Sequence, residues 1–312
     1  MSHEQTRRRF LTTMAATTAA GLATDAAEAK SRGRVRLGVN TLLWSASNAE
    51  DARWVRKAHE QGFEGIEIAV FDPAAVDKAA VKDALDDTGL SLTLCTIMTP
   101  ERDLIAAERE PREVAMKYIR DTVLLGEGLG ATAFGGPHYA PVGKLVGRGR
   151  TRAEWDRAVI GFKELGQFAY DHGVTLCIEP LNRFETYFIN IAEDAARMVD
   201  EVDSPGLKMM LDTFHMNIEE KDLGAAIRAS GDRLHHFHAC ENDRGTPGTG
   251  NVDWREVFDA LKDIGYRYSA VIESFVPGIK EIAAAAAIWR DIEPSADDIS
   301  TGGLAFLRKS GL

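Results

Sequence analysis

The chain has 312 residues, of which 45% are apolar and 27% are charged, and this usage excludes disordered, collagen-like and low-complexity proteins. Asp and Glu outnumber Lys and Arg by 48 to 37, and the net charge of −11 argues against a nucleic-acid partner. No run of apolar residues reaches the length of about 18 that a membrane-spanning helix requires, so we expect a soluble mature chain. Cys95, Cys177 and Cys240 lie in apolar runs and are expected to be buried thiols.

The first 29 residues have the order of an export signal. Arg7 and Arg8 precede Phe10 and Leu11, a pattern that resembles the twin-arginine motif and lacks only its final lysine. A weakly apolar run follows, and residues 27–29 (Ala-Glu-Ala) form a small-x-small cleavage motif. We therefore predict that residues 1–29 are a cleaved signal for the twin-arginine export machinery and that the mature chain is periplasmic or exported. A disordered basic leader is the alternative.

Short apolar or β-branched runs alternate with amphipathic helical stretches through the rest of the chain. Eight strands are predicted at residues 35–40, 65–70, 91–97, 131–135, 174–179, 207–212, 234–240 and 268–273. Helices between them include residues 52–61, 112–125, 152–172, 192–202 and 254–264. Eight such units predict one α/β domain over residues 30–312, a single (β/α)₈ TIM barrel. An open dinucleotide-binding sheet is disfavoured because no Gly-x-Gly-x-x-Gly follows the first strand.

Four of the later predicted strands end in a residue that can bind a metal. Glu179, Asp212, His238 and Glu273 are separated by 33, 26 and 35 residues, about one strand–helix unit each. Because the carboxyl ends of barrel strands meet at one rim, these side chains are expected to converge. Carboxylates gathered at an apolar core repel one another unless a cation neutralises them. Three carboxylates and one imidazole suit Mn²⁺, Mg²⁺ or Co²⁺, whereas structural zinc prefers thiolates. The alternative is that each acid merely ends its strand or caps the next helix.

Other residues near the predicted strand ends are weaker candidates. Trp44 and Phe275 are candidates for lining a sugar pocket, and core packing is the alternative for both. His236 is expected to share a strand face with His238, because strand side chains alternate, while His235 faces the helices.

The runs at residues 179–185, 211–220 and 236–238 resemble the ketose 3-epimerase family, the xylose-isomerase-like barrels that include D-tagatose and D-psicose 3-epimerases. The resemblance covers the whole mature chain. It implies a barrel that binds one divalent metal, usually Mn²⁺ or Co²⁺, through Glu179, Asp212, His238 and Glu273. It also implies that the substrate is contacted by Glu185, His215 and Arg244. We expect a homo-oligomer, either a dimer or a tetramer.

The reaction implied is inversion of C3 in a free, unphosphorylated ketose. One of the two glutamates, Glu179 or Glu273, would remove the C3 proton to give a cis-enediolate, and the other would return a proton to the opposite face. The metal would stabilise the enediolate as a Lewis acid. His215 and Arg244 are expected to hydrogen-bond O2, and Glu185 to orient a hydroxyl or a metal ligand.

Other functions use the same barrel. An aldose–ketose isomerase, a keto-inositol dehydratase and an enzyme acting on 3-keto-glycosides stay open as alternatives. A periplasmic sugar-binding protein without turnover is the alternative from another class, but recognition alone does not need two opposed glutamates on a metal. An abasic-site endonuclease is disfavoured by the net charge and by the lack of Lys and Arg clusters near the site.

Overall fold

A computed structural model describes residues 34–311 of the chain. The predicted signal at residues 1–29 lies outside these residues. The strands are β1 (Arg36–Asn40), β2 (Gly65–Ala69), β3 (Ser91–Cys95), β4 (Ala133–Gly136), β5 (Thr175–Ile178), β6 (Leu207–Asp212), β7 (Leu234–Ala239) and β8 (Ser269–Ile272). The helices are α1 (Asp51–Gln61), α2 (Lys78–Thr88), α3 (Arg109–Leu129), α4 (Arg152–Asp171), α5 (Ala192–Val202), α6 (Thr213–Glu219), α7 (Leu223–Ser230), α8 (Trp254–Asp263), α9 (Lys280–Ala285) and α10 (Ala296–Lys309).

The eight strands form a closed parallel barrel. Each strand pairs with the next along the chain, and β8 pairs with β1, with Ala270 opposite Leu37. Parallel neighbours need a crossover connection, and helices packed outside the strands supply it. The predicted (β/α)₈ barrel is therefore confirmed.

Several helices end where the sequence places a glycine. Gly62, Gly173 and Gly265 follow α1, α4 and α8, and their φ angles of 92°, 69° and 65° are left-handed. Glycine adopts this conformation without a steric penalty, which allows the chain to leave the helix and enter the next strand. At the other end of α4, Thr151 and Glu154 form a reciprocal capping box.

Apolar side chains fill part of the barrel interior. Ala133, Cys177 and Met210 pack together inside the barrel. Gly135 makes room for them, because a Cβ atom there would lie 2.6 Å from the sulfur of Met210. All three cysteines are buried and free, as predicted. Within residues 34–311, no helix is both long enough and apolar enough to cross a membrane.

Candidate active site

A cavity of about 460 Å³ opens at the carboxyl ends of the strands. Seven of the nine predicted site residues line it: Glu179, Glu185, His215, His238, Arg244, Glu273 and Phe275. An eighth, Asp212, lies behind Arg244, whose Nη1 donates to Asp212 Oδ2 at 2.7 Å. The structure thus brings together the predicted metal ligands and all but one of the predicted substrate contacts.

The barrel register explains why the four predicted ligands meet. Asp212 is the last residue of β6 and lies opposite His238 of β7. Glu179 and Glu273 each follow the last paired residue of their strand, Ile178 in β5 and Ile272 in β8. Because parallel strands end at the same rim, residues far apart in sequence become neighbours there.

Asp212 has two roles at the start of α6. Its Oδ1 accepts a hydrogen bond from the backbone N–H of Phe214 at 2.8 Å and so caps this helix. The first turn of α6 carries His215, whose Nε2 lies 3.7 Å from Asp212 Oδ2 and 3.8 Å from Glu179 Oε1. The helix-cap alternative therefore holds for Asp212 alongside its place in the acidic cluster.

Arg244 bridges two of the carboxylates. Its Nη1 donates to Asp212 Oδ2 and, at 2.8 Å, to Glu273 Oε2. The guanidinium carbon lies 3.9 Å from the ring centroid of Phe214 and 4.8 Å from that of Phe275. Two aromatic faces and two carboxylates therefore fix the fork of the guanidinium in one plane.

A buried carboxylate, that of Glu241, stabilises the loop that carries Arg244. Glu241 has no exposed surface. It accepts hydrogen bonds from the backbone N–H groups of Gly248 and Val252 at 2.8 and 3.0 Å, and from Trp254 Nε1 at 2.8 Å. Arg244 itself has a left-handed φ of 65°, which is uncommon for a residue with a side chain.

The protein's own groups place the two glutamates in opposite electrostatic environments. Burial, together with the negative charges of Glu273 and Asp212, raises the pKa of Glu179 well above its ordinary value. Burial also acts on Glu273, but the positive charges of His238 and Arg244 outweigh it and lower the pKa of Glu273. The pKa of Asp212 is raised to about 6 by burial, with Arg244 opposing the shift. Carboxyl groups with separated pKa values are typical of acid–base sites.

His215 is arranged as a hydrogen-bond donor to the cavity. Burial, with the positive charges of Arg244 and His238, lowers its pKa well below the ordinary value, so the imidazole is neutral. The backbone N–H of Asn182 donates to its Nδ1 at 3.1 Å, and this contact assigns the ring proton to Nε2, which lies 3.2 Å from Arg244 Nη2. The side chain of Asn182 also donates to Glu185 Oε1 at 2.8 Å and so orients that carboxylate at the cavity wall.

The donor set fits a divalent cation. Ligand atoms of Asp212, His238 and Glu273 all lie within 4.8 Å of one another, as do those of Glu179, Asp212 and His215. His238 Nδ1 is buried and has no hydrogen-bond partner among the described residues. When Glu179, Asp212 and Glu273 are all ionised they carry a charge of −3, which Arg244 and a divalent cation together would balance. Oxygen-rich sites with one imidazole suit Mn²⁺, Co²⁺ or Mg²⁺.

Inside the barrel, His238 belongs to a polar cluster with Glu67, His236 and Asn40. Glu67 of β2 lies 2.6 Å from Nε2 of both His236 and His238, and Asn40 donates to Glu67 Oε1 at 2.9 Å. His236 shares a face with His238, as predicted. Glu67 and Asn40 were not predicted, although a lone acid inside the apolar run of β2 is a signal that could have pointed to Glu67.

Trp44, a candidate sugar contact, is not among the residues that line the cavity. Its ring stacks on Trp54 of α1 with the centroids 5.7 Å apart, and Lys57 Nζ lies 5.0 Å from the centroid of the Trp44 ring. Trp44 is half-buried, and both the sugar contact and core packing stay predictions.

Comparison with known proteins connects this geometry to a family. The family model of the xylose isomerase-like TIM barrel matches residues 55–299. The chain is 33% identical over 278 residues to a probable ketose 3-epimerase of Synechocystis sp., covering 89% of this chain and 97% of the relative. It is also 33% identical to an L-ribulose 3-epimerase of Mesorhizobium japonicum, covering 82% and 88% of the two chains.

A solved structure supports the same relationship. The crystal structure of D-allulose 3-epimerase from Methylomonas sp. superimposes with a TM-score of 0.85 at 31% identity, covering 89% of this chain and 98% of that one. The chain therefore belongs to the ketose 3-epimerase family of xylose isomerase-like TIM barrels and is an enzyme of the isomerase class.

Proposed function

We propose that this enzyme inverts C3 of a free ketose with the help of one divalent metal ion. The observation that carries the proposal is that Glu179 and Glu273 line one cavity, beside Asp212 and His238, in a chain related to ketose 3-epimerases. Glu179, Asp212, His238 and Glu273 would hold the metal. Mn²⁺ is the proposed ion, with Co²⁺ and Mg²⁺ as alternatives.

The two glutamates would divide the proton transfers. One carboxylate takes the C3 proton, which gives a cis-enediolate, and the other delivers a proton to the opposite face of C3. A bound divalent cation supplies Lewis-acid stabilisation of the charge that develops on the sugar oxygens. His215 Nε2–H and the Arg244 guanidinium donate hydrogen bonds toward O2, and Glu185 accepts one from a substrate hydroxyl.

The lining of the cavity supports an unphosphorylated substrate. Arg244 is the only Lys or Arg among the described lining residues, and its Nη1 is engaged by Asp212 and Glu273. Apart from the proposed metal ion, a phosphate dianion would meet three carboxylates and one arginine that already pairs with two acidic residues. The names of the relatives, L-ribulose and D-allulose 3-epimerases, direct the test toward ketopentoses and ketohexoses.

The test is turnover of a panel of ketoses in heavy water. The Mn²⁺-loaded enzyme should convert L-ribulose, D-allulose, D-tagatose or D-fructose to its C3 epimer with deuterium at C3, read by NMR and chromatography. Formation of an aldose with label at C1 or C2 would favour an aldose–ketose isomerase. Loss of water from the sugar would favour a lyase, and binding with no exchange at any carbon would favour a sugar-binding protein.

We also propose that residues 1–29 direct the chain through the twin-arginine pathway, because Arg7 and Arg8 precede an apolar run and a small-residue cleavage motif. The double substitution R7K/R8K should retain the protein in the cytoplasm, as measured by fractionation and immunoblotting. Export at the wild-type level would contradict the proposal. The expected dimer or tetramer stays a prediction, which light scattering of the purified chain tests.

A further inference from the structure

We propose that Glu67 is a positioning residue that holds His238 in the one ring orientation and tautomer in which Nδ1 can bind the divalent cation. The proposal rests on the metal site proposed above. It gives a role to a buried carboxylate that neither accepts the C3 proton nor lines the cavity.

Glu67 lies in the middle of β2 and has no exposed surface. Both of its carboxylate oxygens have two close polar neighbours. Oε1 accepts from Asn40 Nδ2 at 2.9 Å and lies 2.6 Å from His238 Nε2. Oε2 accepts from Thr93 Oγ1 at 2.9 Å and lies 2.6 Å from His236 Nε2. Three other strands, β1, β3 and β7, thus contribute partners to one carboxylate of β2.

A buried carboxylate at this position lowers the free energy of unfolding. The neighbouring β2 residues Ile66 and Ile68 are buried and apolar, and an interior aliphatic side chain would avoid the desolvation penalty of the charge. Hydrogen bonds from Asn40 and Thr93 offset part of that penalty but do not require a glutamate there. The contact that an aliphatic residue could not make is the one with the histidines of β7.

The two ring nitrogens of His238 have different surroundings. Nε2 faces Glu67, so in the neutral ring the proton is assigned to Nε2 and the lone pair to Nδ1. Nδ1 lies 3.5 Å from Glu273 Oε2, next to the proposed ligands, and has no hydrogen-bond partner among the described residues. A carboxylate behind a ligating histidine fixes the tautomer and makes the ring a stronger donor.

A second cation between Glu67, His236 and His238 is the competing interpretation, because their ligand atoms also lie within 4.8 Å of one another. The short contacts do not favour it. Glu67 Oε1 and Oε2 already accept hydrogen bonds from Asn40 and Thr93, and each lies at hydrogen-bond distance from one imidazole nitrogen. The number of metal ions bound per chain distinguishes the two interpretations.

The test measures Mn²⁺ binding by calorimetry and by electron paramagnetic resonance of the free ion, in the wild type and three variants. E67Q keeps the shape and one neutral acceptor, and E67L keeps the approximate volume but no acceptor. Loss of such a partner typically weakens metal affinity by about 10–100-fold. We expect the Mn²⁺ affinity to fall by about 10-fold in E67Q and by about 100-fold in E67L. T93V is the matched control, since it removes a donor from the other oxygen of Glu67, and its Mn²⁺ affinity should stay within about threefold of wild type.

A second measurement does not depend on the folding of any variant. In the wild-type chain loaded with diamagnetic Mg²⁺, the ring ¹⁵N signals of His238 should show the proton on Nε2. A proton on Nδ1, an E67Q affinity within twofold of wild type, or two Mn²⁺ ions per chain would overturn the role of Glu67. Absence of metal binding to the wild type would overturn the metal site itself, whereas normal binding without epimerase turnover would count only against the proposed reaction.

Discussion

The two halves of the active-site cavity differ in chemistry. Every charged residue and histidine in its wall follows β4 in the chain: Glu179, Glu185, His215, His238, Arg244 and Glu273. The segments after β1, β2 and β3 contribute mainly apolar side chains, among them Leu42, Phe71, Ile97 and Met98. We call these the charged half and the apolar half.

We expect the charged half to carry out the proton transfers and the apolar half to determine which ketose is preferred. In the charged half several ionisable groups contact one another, as Arg244 contacts Asp212 and Glu273, so a change there alters several groups together. In the apolar half the contacts are non-directional, and Ile97 is 39% exposed. We expect substitutions in the charged half to change the rate of proton transfer, and substitutions in the apolar half to change which ketose is preferred.

The largest effect is expected for the two glutamates of the charged half. E179Q and E273Q keep the shape of the side chain but cannot take up a proton, so epimerisation should fall by about 10²–10⁴-fold in each. Each variant should still exchange the C3 proton of one epimer with solvent deuterium, and the two variants should favour opposite epimers. If metal stays bound while both variants lose exchange with both epimers, a single base serves both faces.

The next largest effect is expected for the nitrogen ligand. Chelation should abolish turnover, and Mn²⁺ or Co²⁺ should restore it better than Zn²⁺ or Ca²⁺. Loss of a residue that supports a metal ligand weakens metal affinity by about 10–100-fold. H238A should weaken Mn²⁺ affinity by more than this, because it removes the ligand itself. H235A is the matched control, since His235 lies on the other face of the same strand, with its ring centroid 3.8 Å from that of Tyr268. Full activity of the metal-free enzyme would reject the assignment.

The smallest effect is expected in the apolar half. I97A should change the ratio of kcat/KM between a ketohexose and a ketopentose by about 10-fold, the lower end of the effect of one methylene in an apolar pocket, because Ile97 is partly exposed. The C3 exchange rate at saturation should change by less than about threefold. L145A is the control, because Leu145 is exposed and does not line the cavity. An exchange rate that falls as far as in E179Q would remove the distinction between the halves.

The sequence predicts the barrel well because each unit carries local signals. The bounds predicted for β6 and α5 coincide with the structure, since apolar periodicity sets both. At β5 and β8 the prediction runs one residue too far at each end, and Glu179 and Glu273 lie directly after the observed strands. Their approach to one cavity follows from the barrel alone.

What the sequence does not reveal depends on contacts between distant segments. Glu67 is a single acid with no spacing signal, and its partners come from β1, β3 and β7. Trp44 lies just past a strand end, as a sugar contact would, but α1 supplies Trp54 as a closer stacking partner. Periodicity in the sequence reveals helices and strands, whereas these side-chain contacts exist only after the barrel closes.

The left-handed backbone at Arg244 has a consequence for directed evolution of this enzyme. A non-glycine residue in that conformation costs on the order of 1–3 kcal/mol, and glycine would relieve much of it. Replacement would, however, leave Asp212 and Glu273 as buried carboxylates without their cation, a loss of about 3–5 kcal/mol that outweighs the relieved strain. Selection for heat resistance alone should therefore retain Arg244, and stabilising substitutions should be sought outside this loop.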